Sequence, residues 1–543
     1  MRADRTRGLL LGLLLVCAYF FLLGSHGLLE PDEGRYSEIP REMRLSGDFI
    51  TPRLNGVAYF EKPILHYWLT GSAQALFGEN EFSSRFWPAL LALGAVAATG
   101  LLGRKLYGGR TGLLGALVLA TSLLHFAVGQ LNITDMPLSF FVTVALVTFK
   151  FAEEGDRRLL LLFYAAMALA TLTKGLIGIV LPGAVLLAYI VLTRRWSLVV
   201  RSLYLPGILL FFALLLPWFV AVCRANGDFF HFFFVREHFL RYTTAIHDRH
   251  EPFWYFFPIL LLGLFPWTGL LPSALARAFP GRGRKASTDD LYLLLWAIVI
   301  LLFFSASGSK LVPYIVPVLP PLALLIGREL DRAFSGKGFP KLALAASTLF
   351  PGLLAPAFLV YPFIQDRHPL SLLLFPGLAL GLIPLTGLAL AWRFQLRGRG
   401  QRAAAAFCLM GLLLLPAYRG LFIAYGEIKS RRPLAEAIAA RLDRDDVVAQ
   451  YGTYEQALPF YLKRLNVVIA YRGELAFGID RDAPSWFLDE GGLLPLLEGD
   501  RRVFLVVKRD LYETLREKTG GLFTLAEWDN TLVVVNRPLE VNE

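Results

Sequence analysis

The sequence predicts an α-helical polytopic membrane protein with a small α/β domain at its C-terminal end, and three observations lead there. The 543 residues are 55% hydrophobic and 18% charged, against about 25% charged in aqueous domains. Apolar runs of roughly 17–22 residues, each able to cross a hydrocarbon core of about 30 Å, recur from Gly8 to Ala424. Beyond Gly426 these runs stop, charge rises and short β-rich stretches take over.

Taken in order, the chain opens with Arg2, Arg5 and Arg7 before an apolar stretch from Gly8. A cleavable signal peptide is the rival reading, but Gly24-Ser25-His26-Gly27 lacks a small-residue cleavage site, which favours an uncleaved span. About thirteen spans are expected, at 8–24, 86–103, 112–130, 136–152, 159–173, 175–193, 203–222, 254–273, 290–306, 311–327, 342–363, 370–391 and 403–424. With the N-terminus cytoplasmic, alternate short connections are the basic ones, among them Arg104, Lys105 and Arg110, then Arg157 and Arg158, then Arg194, Arg195 and Arg201. That is the positive-inside pattern, and it accounts for the net charge of +11 without invoking nucleic acid. Cys17, Cys223 and Cys408 show no metal spacing or disulfide framework. An odd number of spans puts the tail outside. In the tail, strands are expected at 447–451, 466–471, 503–508 and 531–536, with helices near 433–442 and 511–518. The expected division is a transmembrane domain over 1–425, with a large external loop at 25–85, and an external α/β domain over 426–543.

The chemically interesting residues fall on the external side. The first loop carries Glu30-Pro31-Asp32-Glu33-Gly34-Arg35-Tyr36-Ser37-Glu38, then Tyr59-Phe60-Glu61-Lys62-Pro63 and His66-Tyr67-Trp68. Residues 34–45 predict a short amphipathic helix lying at the interface, with Arg35, Glu38 and Glu42 on one face. Charged residues here could simply solvate a surface loop. Other external boundaries weigh against that: Asp135 after Asn132-Ile133-Thr134, Lys174 between Thr173 and Gly175, Arg236-Glu237-His238 with Arg241, and Ser309-Lys310 with Tyr314. Ionisable groups in or near a membrane are costly and are functional candidates by default. Lys62, Lys174, Arg241 and Lys310 suit a phosphate or diphosphate. Asp32, Asp135 and Glu61 suit sugar hydroxyls, a general base or a divalent cation. A transporter for an anionic solute also needs such charges, though no clear inverted repeat is present. Phe229 to Phe234 and Phe253 to Phe257 suit either a lipid groove or an interfacial aromatic belt.

These motifs carry a resemblance. The segment from Asp32 to Met43 resembles the first-loop signature of the lipid A aminoarabinose transferases, within the protein-O-mannosyltransferase-like group of C-type-fold glycosyltransferases. The Tyr59–Pro63, Asp135, Glu237-His238 with Arg241, and Ser309-Lys310 with Tyr314 motifs are similar to that family in the same order. The resemblance implies the C-type glycosyltransferase fold in a bacterial inner-membrane protein. It implies an inverting transfer of a sugar, such as aminoarabinose, from polyprenyl (undecaprenyl) phosphate to lipid A or another envelope glycan or protein. It makes Asp32 the catalytic carboxylate, with Asp135 as a second one that positions sugar or acceptor. It makes Arg35, Tyr36, Tyr59, Lys62, Arg241, Lys310 and Tyr314 the donor and substrate contacts, and the boundary cation Lys174 joins them by its position. Glu61 and His238 resemble a pair that holds an optional divalent metal, two ligands being an incomplete set by zinc standards; no nucleotide cofactor is implied. A transporter or flippase of a lipid-linked solute stays the alternative from another class.

Overall fold

The computed structural model of the chain describes residues 2–233, 251–279, 287–365, 368–519 and 521–538. They form two compact units: Met1–Leu23 with Arg85–Phe422, and Gly24–Ser84 with Ile423–Glu543.

The first unit is a bundle of apolar helices. Among the described residues, eight helices are long and apolar enough to cross a membrane, or ten if each of two bent pairs is one span. All the predicted spans are helical, yet fewer qualify by length than predicted. Gly8–Phe20, Leu160–Lys174 and Ile177–Thr193 have at most 17 residues. At about 1.5 Å per residue they reach roughly 26 Å or less, short of a full hydrocarbon core of about 30 Å. Local chemistry explains the two bends. Gly109–Thr121 and Leu123–Gly129 meet at 64° because Ser122 is extended, with its hydroxyl donating to the Val118 carbonyl at 2.6 Å. Phe256–Gly263 and Thr268–Ala278 meet at 109° across Pro266, which has no N–H to continue a helix.

Close helix packing follows from small residues. A Cβ on Gly327 would lie 2.6 Å from the Gly115 backbone nitrogen, so Leu319–Arg332 and Gly109–Thr121 can touch only where both lack side chains. Thr288–Ala306 begins at a Ser287 cap that accepts from the Asp290 N–H at 3.0 Å, with Asp289 and Asp290 in its first turn. One cluster of charges inside the bundle is paired. Lys150 meets Glu153 at 2.5 Å and Asp289 at 3.0 Å, and Tyr189 donates to Glu153 at 2.8 Å.

The second unit joins the first loop to the tail. Its sheet contains β3 (Val447–Tyr451), β4 (Val467–Ile469), β5 (Phe487–Leu488), β6 (Val503–Lys508), β7 (Phe523–Trp528) and β8 (Thr531–Val535), in the order β5-β4-β3-β6-β8-β7. The four strands from β5 to β6 are parallel; β8 pairs antiparallel with β6, and β7 antiparallel with β8. Alternation sends Val448, Phe504, Val506 and Val533 to one face under Leu434, Ile438 and Leu458. Ala449, Leu505, Val507 and Val534 go to the other, with Leu493 and Leu515. The four predicted strands are present, and β5 and β7 are additional. The predicted helices appear as Arg432–Ala439 and Arg509–Thr519.

Contrary to the sequence expectation, the first-loop helix does not lie amphipathically at an interface. It forms over Asp32–Ser46, and all eleven residues from 33 to 43 are buried. Its charges are satisfied internally. Arg41 donates twice to Glu38, at 2.6 Å each. Glu42 accepts from the backbone N–H groups of Asn55 at 2.6 Å and Gly56 at 2.9 Å. Those two residues form the turn between β1 (Arg53–Leu54) and β2 (Val57–Ala58), with φ of 51° and 82°, an Asn-Gly pair suited to a tight hairpin. The same hairpin is tied to the sheet domain. Asn55 donates to the Asn466 carbonyl and accepts from the Asn466 N–H, both at 2.9 Å, and Trp486 donates to the Asn55 carbonyl at 3.0 Å. Gly34 allows the helix to approach the tail backbone, since a Cβ there would lie 2.5 Å from the Ala457 nitrogen.

Candidate functional site

The first turn of Asp32–Ser46 places a carboxylate and a guanidinium side by side. Arg35 donates to Asp32 at 2.8 Å and to the Tyr59 hydroxyl at 2.7 Å, and it pairs with Glu474. Exposure separates their tasks. The Arg35 side chain is 9% exposed, whereas Asp32 is 47% exposed and accessible to a ligand. Burial opposes the charge on Arg35, but the Asp32 and Glu474 carboxylates outweigh it, and the Tyr59 hydroxyl adds a hydrogen-bond acceptor. Tyr36 stands edge-on to His66, with ring centroids 5.1 Å apart, and beside Tyr67 at 6.0 Å. Burial pushes the Tyr36 and Tyr59 hydroxyls up, so both stay protonated. Glu61 and Lys62 belong to the same electrostatic neighbourhood, and Lys62 Nζ donates to the Glu61 carbonyl at 3.0 Å.

Glu474 is the residue that sequence reasoning missed. Burial lifts its carboxyl to about 7, with Arg35 and Lys62 pulling it down and Glu61 and Asp32 pushing it further up. Gly473, at φ +41°, turns the chain just ahead of it. Gln456 donates its amide to the same carboxylate. Both loops follow neighbouring parallel strands, Gln456 after β3 and Glu474 after β4. Carboxyl ends of parallel strands are where α/β sheets carry ligands, and that was the available signal. Glu30, partly buried, accepts from the N–H groups of Gln456 at 2.9 Å and Ala457 at 2.7 Å, which holds this loop in place.

The membrane unit contains a second cluster. Asp135 starts the helix Asp135–Glu154 and Lys174 ends Leu160–Lys174. Their side chains pair at 2.6 Å, and Lys174 lies 4.5 Å from the centroid of the Tyr314 ring. A carboxylate at a helix N-terminus and an ammonium at a C-terminus are each favoured by the helix dipole. Lys310 is not joined to that pair by a hydrogen bond; its Nζ donates to the carbonyls of Glu251 at 2.8 Å and Ser307 at 2.7 Å. Next to Lys174, an apolar cleft of about 440 Å³ is lined by Gly175, Leu176, Leu216, Phe219, Phe230 and Phe233, with Arg224 also in its wall. Part of the 229–234 aromatic run therefore lines a groove. Phe253, Trp254 and Phe257 are instead more than 60% exposed, as in an interfacial belt.

Arg241 and His238 lie outside the described residues. Glu61 is thus the described half of the expected metal pair. Among the described residues, no group of three or more His, Cys, Asp or Glu could hold a metal ion.

Comparison with known proteins adds context to this geometry. Residues 61–220 match the family model described as dolichyl-phosphate-mannose-protein mannosyltransferase, and residues 434–537 match the aminoarabinose transferase C-terminal domain. The chain is similar to an undecaprenyl phosphate-alpha-4-amino-4-deoxy-L-arabinose arabinosyl transferase of Sodalis glossinidius, at 33% identity over 93% of this chain and 94% of that one. A protein of the same description from Pseudomonas aeruginosa is 37% identical over 86% of each chain. Among solved structures, ArnT from Cupriavidus metallidurans bound to undecaprenyl phosphate superposes with a TM-score of 0.86. It is 29% identical, over 97% of this chain and 98% of that one.

Proposed function

The chain belongs to the undecaprenyl phosphate–aminoarabinose arabinosyl transferase family, and on that premise we propose that it transfers 4-amino-4-deoxy-L-arabinose from undecaprenyl phosphate to lipid A or a related envelope acceptor. It is a glycosyltransferase of the C-type fold. The observation that carries the reading is the contrast in the first turn of Asp32–Ser46, where a half-exposed carboxylate is held by a buried, multiply bonded arginine. Such a support pre-orients a charged group without hiding it.

In the proposed reaction, the bond from the anomeric carbon to the undecaprenyl phosphate oxygen breaks as an acceptor oxygen bonds to that carbon from the opposite face, with inversion. A lipid A phosphate is already anionic and needs no strong base. Asp32 then stabilises the positive charge that develops on the sugar ring; for a hydroxyl acceptor it takes the proton instead. Lys62, Arg241 and Lys310 are assigned to the departing phosphate, while Asp135, Tyr36, Lys174 and Tyr314 are assigned to positioning donor and acceptor. The apolar cleft beside Gly175 suits a polyprenyl chain. The basic alternate loops support a bacterial inner-membrane location, with the N-terminus cytoplasmic and the sheet domain periplasmic.

The test is a proteoliposome assay with a synthetic undecaprenyl-phosphate aminoarabinose and lipid A. Wild type forms the glycosylated product and Asp32→Asn loses roughly 10²–10⁴-fold in rate. Movement of the donor between leaflets with no covalent product would replace the enzyme reading with a flippase. Sugar appearing on a peptide or glycan but never on lipid A would move the acceptor to the mannosyltransferase-like alternative. A reporter fused after Gly426 reads as periplasmic.

A further inference from the structure

Glu474 lies on the tail, outside every motif that first marked the site, yet its carboxylate is built into the first-loop cluster. One oxygen accepts from Arg35 and the other from the Gln456 amide, and the side chain is 17% exposed. A carboxylate offers about four lone-pair positions, so these two bonds fix its orientation and leave acceptor capacity. Asp32 and Glu61 are the carboxylates and Arg35 and Lys62 the cations that act most strongly on it. The setting is partly buried, where charge-assisted hydrogen bonds are strongest.

We propose that Glu474 is a specificity-determining residue that accepts a hydrogen bond from the ammonium group of the donor sugar, selecting an amino sugar over its neutral counterpart. This rests on the transfer reading above. Asp32 is the more exposed carboxylate and suits the reacting carbon, whereas Glu474 is fixed by Gly473, Arg35 and Gln456 and suits recognition. The upward push on its carboxyl by Asp32 and Glu61 agrees, because a bound cation relieves that repulsion. A neutral sugar hydroxyl at the same place offers only an uncharged hydrogen bond.

The experiment compares two synthetic undecaprenyl-phosphate sugars, identical except for an amino or a hydroxyl group at one ring carbon, with the full chain in proteoliposomes and lipid A as acceptor. Wild type should favour the amino donor by roughly 10–100-fold in kcat/KM, the range for a hydrogen bond to a charged group. E474Q should reduce that ratio about tenfold or more, and E474D should reduce it by less, since the charge is kept one methylene further away. E474D also carries the test if E474Q does not fold. Equal losses on both donors with an unchanged ratio would leave Glu474 as a mere support for Arg35 and would overturn the proposal. Absence of transfer by wild type from either donor would instead remove the transfer reading, and the inference with it.

Discussion

Two helices of this chain invert each other. Leu205–Ala225 is almost wholly apolar, yet only 28% of its most apolar window is buried; Leu205, Leu209, Phe212 and Leu216 all face outward. Asp32–Ser46 is rich in charge, yet buried through residues 33–43. The first helix has lipid as its solvent, where apolar surface costs nothing. The second can be buried only because each charge finds a partner, and such partners persist when they hold a group ready for chemistry. Composition therefore reports the solvent of a helix, while its partners report its task.

The comparison predicts where the chain is most sensitive. Arg35→Met removes the shared partner of Asp32, Tyr59 and Glu474. It should destabilise the second unit by about 3 kcal/mol, the low end for breaking a buried pair, because Glu474 can take up a proton. Hydrogen exchange of segment 32–46 in the full-length protein measures this; unchanged protection would break the contrast between the two helices.

Next in size is the pH response. The Glu474 carboxyl is raised from 4.5 to about 7 in the fold. Its unfolded form releases the proton first, so the contribution to stability is fully present below about pH 4.5. It is lost as pH rises to about 7, by up to roughly 3 kcal/mol. E474Q should flatten the dependence of 32–46 protection on pH across that window, and an unaltered slope would assign it to another group.

Gly34→Ala should cost about 1–3 kcal/mol by overpacking, since its Cβ would meet the backbone at Gln456 and Ala457. Thermal unfolding in detergent reads this change, and an unchanged midpoint would show that the helix shifts freely. The smallest effect belongs to the membrane unit. A double-mutant cycle of Asp135→Asn and Lys174→Met should give a coupling of about 1 kcal/mol, as polar pairs in membranes do. A coupling near zero would make this pair incidental to the bundle.

Much of this was legible in the sequence, for reasons particular residues make plain. Spans show because lipid demands long apolar runs, and β3 and β6 show because Val447-Val448 and Val503-Phe504-Leu505 are dense in strand formers. The bend at Ser122 did not show, because Leu117 to Val128 reads as one apolar run and a single hydroxyl redirects it. Strand β5 has only two residues, too few for any period to register. Asp32 and Arg35 could be read as a site because they share one helical turn. Glu474 could not, because it lies 439 positions from Arg35 and only the fold brings the two together.

The most direct test of the central claim is mass spectrometry of lipid A from cells lacking any other such transferase and expressing equal amounts of wild type or Asp32→Asn. Wild type should yield lipid A carrying the mass of added aminoarabinose, and Asp32→Asn should yield the unmodified species. Equal modification by both, or none by wild type when the donor is present, would contradict the account.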